Sequence, residues 1–328
     1  MIAFVTGGSG FVGGHLCERL RREGWTVRAL VRKSSGTEVL EEAGCDLVAG
    51  SLDAPASFRG ALAGADVIFH LAGITKAARA RDFARINGGG TEAVLDAAAD
   101  AGFKGRFVYL SSLAAAGPAP APGQARTESM EPRPVSAYGR GKLLGEHHVR
   151  NAPKSIETVI LRPGAIYGPR EHEIYQVVRT LAKTGLALRV GPDFRVQMTH
   201  VDDIVSALVH ASANPEMAGR VYHLVDQQVW RLGEVLRLLG ESIGRRIRIV
   251  PLPMALGWAA GGVIDAASLA ARRPLSPFNT DKMRELAAGD WIADSSRLTR
   301  DCGWHAEWAL PAGLHDTIRW YRAKGWLA

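Results

Sequence analysis

The segment Thr6-Gly7-Gly8-Ser9-Gly10-Phe11-Val12-Gly13 constrains this chain more than any other. It follows an apolar run, Ile2 to Thr6, with no residue between, and it opens a helical pattern that continues to about Arg22. Gly8, Gly10 and Gly13 satisfy the dinucleotide fingerprint, and Gly7, Gly10 and Gly13 satisfy its variant with two residues in each gap. Glycine here lets the chain turn tightly, lets backbone N–H groups approach a pyrophosphate, and lets helix and strand pack closely. The segment predicts a nucleotide site at the first strand-to-helix turn, with Gly7, Gly10, Phe11 and Val12 at the cofactor.

Unalternating apolar runs recur at 26–31, 46–49, 66–72, 106–111, 158–161 and 220–225, with helix-length segments between most of them. Strands buried on both faces read this way, so the fold class is α/β, a doubly wound parallel sheet of the Rossmann type. The rhythm changes after Gly168, with helices at 174–184 and 202–213 around a polar loop at 191–193. We expect a dinucleotide-binding domain over 1–168, resumed at about 199–226. Residues 169–198 and 227–328 would form a smaller C-terminal substrate domain.

Lys and Arg exceed Asp and Glu by 40 to 33, which favours an anionic ligand. The arginines are scattered and no zinc-finger or RNA-binding signature accompanies them, so no nucleic acid is expected. Cys17, Cys45 and Cys302 have no C-x-x-C spacing, which suits a reducing compartment and predicts neither disulfides nor a metal site. Cytoplasm is the expected location, because no basic leader or cleavage site precedes the first strand. The apolar stretch 252–271 carries one charge, Asp265, and is followed by Arg272-Arg273. Its glycines and alanines make it a poor membrane span, so we expect a buried or pocket-lining helix, with peripheral membrane contact as the lesser reading.

The second strand ends Val31-Arg32-Lys33, where an NAD site usually carries an acid for the ribose hydroxyls. Two cations there suit a 2′-phosphate, so Arg32 and Lys33 predict NADP, with NAD as the alternative. Further along, Tyr138 and Lys142 stand four residues apart on one face of a predicted helix. A phenol has an ordinary pKa of about 10, and a neighbouring ammonium would favour its ionised form.

Together these residues resemble the extended branch of the short-chain dehydrogenase/reductase superfamily, also called the NAD-dependent epimerase/dehydratase superfamily, over nearly the whole chain. The likeness rests on the glycine loop, His70-Leu71-Ala72-Gly73, Asn87, Ser111-Ser112, Tyr138 with Lys142, Leu161-Arg162-Pro163 and His200-Val201-Asp202-Asp203, in that order. It implies that Ser112 polarises the substrate oxygen, that Tyr138 exchanges the proton, and that Lys142 lowers the tyrosine pKa and holds the nicotinamide ribose. Asn87 would support them. It also implies cofactor contacts at Leu71, Ala72, Gly73, Pro163, Ala165 and Ile166, and at Ser51 and Leu52, although Ser51 stands where the family has an aspartate. His200 reads as structural, with Asp202 capping the following helix.

Three departures sort the branches. Leu113-Ala114-Ala115-Ala116 replaces the acidic pair of the dehydratases, while Ala165 and Val196 replace an asparagine and an arginine that epimerases aim at a sugar-nucleotide diphosphate. The chain is then most similar to the branch of 3β-hydroxysteroid dehydrogenases and dihydroflavonol reductases. That resemblance implies a secondary alcohol and a ketone on a hydrophobic small molecule, with stretch 252–271 and the tryptophan-rich tail as lining or core. Arg170 keeps a nucleotide-sugar 4-epimerase as the alternative, and a non-catalytic NADP-sensing protein is the second alternative. The resemblance also implies a homodimer that pairs through the helices at about 81–101 and 138–150, which carry apolar stripes beyond what the sheet can cover.

Overall fold

The computed structural model describes residues 1–274, 276 and 278–327. Along the chain run β1 (Ile2–Thr6), β2 (Thr26–Val31), β3 (Asp46–Ala49), β4 (Val67–His70), β5 (Arg106–Leu110), β6 (Glu157–Pro163), β7 (Ala165–Tyr167), β8 (Leu186–Val190), β9 (Arg195–Val196), β10 (Met198–His200), β11 (Arg220–Leu224), β12 (Trp230–Arg231) and β13 (Arg248–Leu252). One seven-stranded sheet has the order β11-β6-β5-β4-β1-β2-β3, with all neighbours parallel. The α/β doubly wound class is therefore the observed one. Strand order reverses between β1 and β4, which opens a crevice at their C-terminal ends, the place where such sheets bind ligands.

Successive side chains alternate between the two faces of the sheet. Val5, Val27, Phe69 and Leu161 pack with Leu16, Ile204 and Leu208 of the helices Phe11–Arg22 and Val201–Ala213. On the other face Phe4, Ile68, Phe107 and Ile160 meet Val94 and Val149 of the helices Gly90–Asp100 and Ala137–Arg150. A further core away from the sheet joins Tyr167, Leu181, Leu236, Leu314 and Tyr321.

Several local expectations need correction. The fourth strand stops at His70, short of 72, because the chain turns into the crevice, and the sixth runs on to Pro163. The pairs β7–β10 and β9–β12 have too few residues to carry a readable period, and the five-residue strands β8 and β13 are partly exposed and not uniformly apolar. Leu252 ends β13, and the helix of the apolar stretch spans Met254–Ala270 behind Pro253. That helix is neither buried nor part of the crevice wall: Leu256, Val263 and Leu269 are exposed, and only Gly257, Gly261 and Ser268 are fully covered.

The two helices at which a dimer is expected pack on each other within the chain. The expected helix at 81–101 is Ala80–Phe83, a π-turn Ala84–Gly89 and then Gly90–Asp100, and it packs on Ala137–Arg150 with Leu144 seated over Gly88. Leu144 is the one large apolar side chain these helices leave exposed among the described residues. In the tail, Trp304 and Trp308 pack at Asp203 and His200, and Trp320 and Trp326 pack around Tyr321. Of the five tail tryptophans only Trp291 reaches the crevice.

Candidate active site

The glycine loop is built as a cradle. Gly7 has φ +74° and lies so close to the Ala72 backbone that a Cβ would sit 2.7 Å from its nitrogen. A Cβ on Gly13 would overlap the Gly7 carbonyl, so the first turn of the helix packs directly on the loop. The helix starts at Gly10 with no side-chain cap and no acid in its first turn. Its leading N–H groups and positive dipole end face the crevice, which fits an anionic pyrophosphate.

Behind the loop runs a directional chain of hydrogen bonds. Thr91 donates its hydroxyl to the Asn87 carbonyl at 2.6 Å, so it accepts from His70 Nε2 at 3.0 Å. His70 Nδ1 then accepts from Thr6 Oγ1 at 2.7 Å, and Thr6 Oγ1 accepts from the Ala72 N–H at 3.2 Å. This order requires a neutral His70, and burial holds its pKa down at about 3. The Asn87 side chain clamps both backbone groups of Ile74, its Oδ1 accepting at 2.8 Å and its Nδ2 donating at 3.0 Å. His70 and Asn87 thus fix the loop after β4, and Asn87 acts by positioning backbone.

At the end of β5 the two serines part. Ser111 donates to Glu146, which also holds Arg162 through two bonds of 2.8 and 2.6 Å in the interior. Ser112 sits at the N-cap of the helix Leu113–Ala116, accepts from Ala114 N–H at 3.1 Å, and lines the same crevice as Tyr138. Burial pushes the Tyr138 phenol up to about 12, and the neighbouring Ser112 hydroxyl pulls it the other way. Burial brings Lys142 down to about 8 while Glu146 opposes, and its Nζ donates to the Leu110 carbonyl at 2.6 Å, over the Tyr109 ring. The sequence expects Lys142 to lower the tyrosine pKa; in this arrangement burial dominates and the phenol keeps its proton at neutral pH.

A crevice of about 760 Å³ brings together Gly7, Gly10, Phe11, Val12, Leu71, Gly73, Ser112, Tyr138, Lys142, Pro163, Ala165 and Ile166. Ala72 lies behind it, its N–H committed to Thr6 and its backbone to Gly7. Arg32 and Lys33 stand outside the lining at the end of β2, exposed and without an ion pair among the described residues. Ser51 accepts from Asp53 N–H at 3.4 Å, and Leu52 packs over Gly90, so neither lines the crevice.

The sequence reading missed the far wall. Ile174, Phe194, Val196, Leu232, Leu286 and Trp291 make much of it apolar, beside Glu171, Glu173, Lys282 and Glu285. Asp281 reaches in from the helix Thr280–Ala287, its carboxylate accepting from the N–H groups of Ala137 at 2.7 Å and Tyr138 at 3.2 Å. It shares the helix start with Ser136, which accepts from Gly139 N–H at 3.0 Å. An acid preceding Lys282 in a polar helix carries no signal of its partner; only the packing reveals it. His200 itself caps its helix, accepting from Asp202 N–H at 3.3 Å, which corrects the cap expected from Asp202.

The parallel sheet, the uncapped glycine loop and the paired Ser112 and Tyr138 define an NAD(P)-binding oxidoreductase of the extended short-chain dehydrogenase/reductase type. The model of the NAD dependent epimerase/dehydratase family matches residues 3–224, and the chain belongs to that family. It is 32% identical over 326 residues to a ceramide reductase of Caulobacter vibrioides, covering 99% of this chain and 96% of that protein. It is also 32% identical over 266 residues to a 4-hydroxy-2-methyl-3-oxo-4-farnesyl-3,4-dihydroquinoline-1-oxide ketoreductase of Stigmatella aurantiaca, covering 79% and 78%. In fold it is similar to the structure of UDP-glucose 4-epimerase with UDP-glucose from Thermotoga maritima, with TM-score 0.79, 20% identity and 99% of each chain covered.

Proposed function

We propose that the protein interconverts a ketone and a secondary alcohol on a hydrophobic small molecule with NADP(H), by a Ser112-Tyr138-Lys142 mechanism. One observation carries the reading: Ser112 and Tyr138 share a crevice whose far wall is largely apolar and whose lining, among the described residues, carries four carboxylates and two cations. Its two cations are Lys142, on the Leu110 carbonyl, and Lys282, 2.9 Å from Glu285. A sugar-nucleotide diphosphate would need charge-assisted donors there. Arg170, the residue that favoured an epimerase, is bound bidentately to Glu18 at 3.0 and 2.6 Å. The names of the Caulobacter and Stigmatella relatives support reduction of a lipid-like carbonyl.

Bound in the crevice, the nicotinamide would supply or take up hydride. Tyr138, protonated at neutral pH, gives its proton to the substrate oxygen during reduction. Ser112 is held by the Ala114 N–H on its oxygen, which leaves its own proton for the phenol or the substrate oxygen. Lys142, near neutrality in pKa, replenishes the phenolate proton in the reduction direction. Arg32 and Lys33, free of ion pairs, favour the 2′-phosphate of NADP over NAD. The three free thiols support a cytoplasmic setting. The test is NADPH oxidation followed against long-chain and polycyclic ketones and against nucleotide sugars: turnover with the ketones supports the reading, and epimerised sugar without NADPH loss refutes it.

A further inference from the structure

We propose that the helix Met254–Ala270 docks the protein on an anionic lipid bilayer, lying in the plane of the headgroups with its outer face down. At 100° per residue, positions 255, 256, 258–260, 262, 263, 266, 267, 269 and 270 cover an arc of about 200°. Every one is exposed, and every one is Ala, Gly, Leu, Val or Trp. Val263 is 70% exposed, Leu256 56%, Leu269 52% and Trp258 36%. A helix on a water-facing surface carries polar residues on its outer arc; this one has none.

The charges around it select the occupant. Its single acid, Asp265, turns inward, where its carboxylate accepts from the Thr280 N–H at 3.2 Å and from the Thr280 hydroxyl. Arg246 and Arg248 precede the helix and Arg272 and Arg273 follow it, all exposed and without an ion pair among the described residues. Apolar arc, interfacial tryptophan and arginines at both ends are the pattern that binds anionic headgroups. Seventeen residues give about 26 Å of helix, short of a bilayer's hydrocarbon core. Among the described residues no helix is long and apolar enough to cross a membrane, so this one lies on its surface.

The inner arc ties the docking face to the site. Gly257 lies against Met283, and Gly261 against the backbone of Asn279 and Thr280. Both contacts belong to the segment whose Asp281 holds the start of the Tyr138 helix. A bilayer under this helix lies one helix away from the crevice wall, and it would hold a hydrophobic ketone at high local concentration.

The test is sedimentation of the full-length protein, without cofactor or ketone, with phosphatidylcholine vesicles that contain or lack phosphatidylglycerol. We expect binding to the anionic vesicles that weakens with salt, falls roughly 10-fold or more in R272E/R273E, and is lost in L256E/V263E. Bromine-labelled lipid should quench the unmodified protein's tryptophan emission, and W258F should remove that quenching; this readout needs no charge variant to fold. Far-ultraviolet circular dichroism and turnover of a water-soluble ketone in lipid-free buffer should be unchanged in all three variants. Absence of binding and quenching in the unmodified protein would overturn the proposal. So would a lipid-free dimer that L256E/V263E dissociates, since a second copy then covers the face. Either result leaves the reductase reading standing, because that reading is measured without lipid.

Discussion

Ser111 donates its hydroxyl to Glu146 Oε1 at 2.6 Å, and this bond leaves Ser112 as the hydroxyl that faces Tyr138. Replacing each serine by alanine should separate two kinds of loss. S112A removes the donor proposed for the substrate oxygen and should lower turnover by roughly 10²–10³-fold with the melting temperature little changed. S111A removes one of the two donors on a buried carboxylate oxygen, Arg162 Nε remaining, and should cost about 1–3 kcal/mol of stability while turnover falls far less. Steady-state rates alongside denaturant melts of the two variants check both halves.

Arg32 is the expected discriminator of the cofactor, with Lys33 in support. A charge-assisted contact to the 2′-phosphate is worth about 1.5–3 kcal/mol, so R32A should lose roughly 10–100-fold in NADP affinity and leave NAD affinity nearly unchanged. Calorimetric titration of both oxidised cofactors decides it, and equal or tighter NAD binding by the unmodified protein would refute the assignment.

Asp281 acts through Tyr138 by holding the N-terminal turn of its helix. D281A should cost about 1 kcal/mol of stability, as other lost caps do. It should also lower kcat roughly tenfold by loosening the phenol, with NADP binding unchanged. D281N keeps an acceptor oxygen and should restore most of the rate; an equal loss in both variants would point to a merely structural role.

Three histidines are buried in the neutral form: His70 and His223 with pKa about 3, and His200 with about 4, each depressed chiefly by burial from an ordinary 6.5. A depressed folded-state value means that the unfolded chain takes up the proton first. The stability these groups contribute is therefore complete above pH 6.5 and is lost as pH falls toward 3 to 4. Each adds a slope of up to about 1.4 kcal/mol per pH unit in that window. Urea midpoints across it should fall steeply, and H223F, which removes a fully buried titratable ring, should flatten the curve.

The sheet was legible because a strand buried on both faces must be apolar throughout, and runs such as Val67-Ile68-Phe69 announce themselves. The glycine loop and the Tyr138–Lys142 spacing were legible because chain geometry forces close approach and shared helix faces. Asp281 was not, since its partners lie 144 and 143 residues away in sequence. Nor could pattern reveal that the helix Met254–Ala270 faces outward: its alanines and glycines read the same for a core as for a lipid surface. The phenol's pKa also escaped, because a charge four residues off is visible in sequence and desolvation is not.

The proton transfer proposed for Tyr138 and the hydride transfer that would accompany it are tested together by reduction of a hydrophobic ketone with NADPH deuterated at the transferring carbon. The account predicts one deuterium at the new carbinol carbon per NADPH consumed, with Y138F slower by roughly 10²–10⁴-fold at unchanged cofactor affinity. Deuterium-free product from an inverted nucleotide sugar, with no NADPH consumed and the ketones untouched, would contradict it.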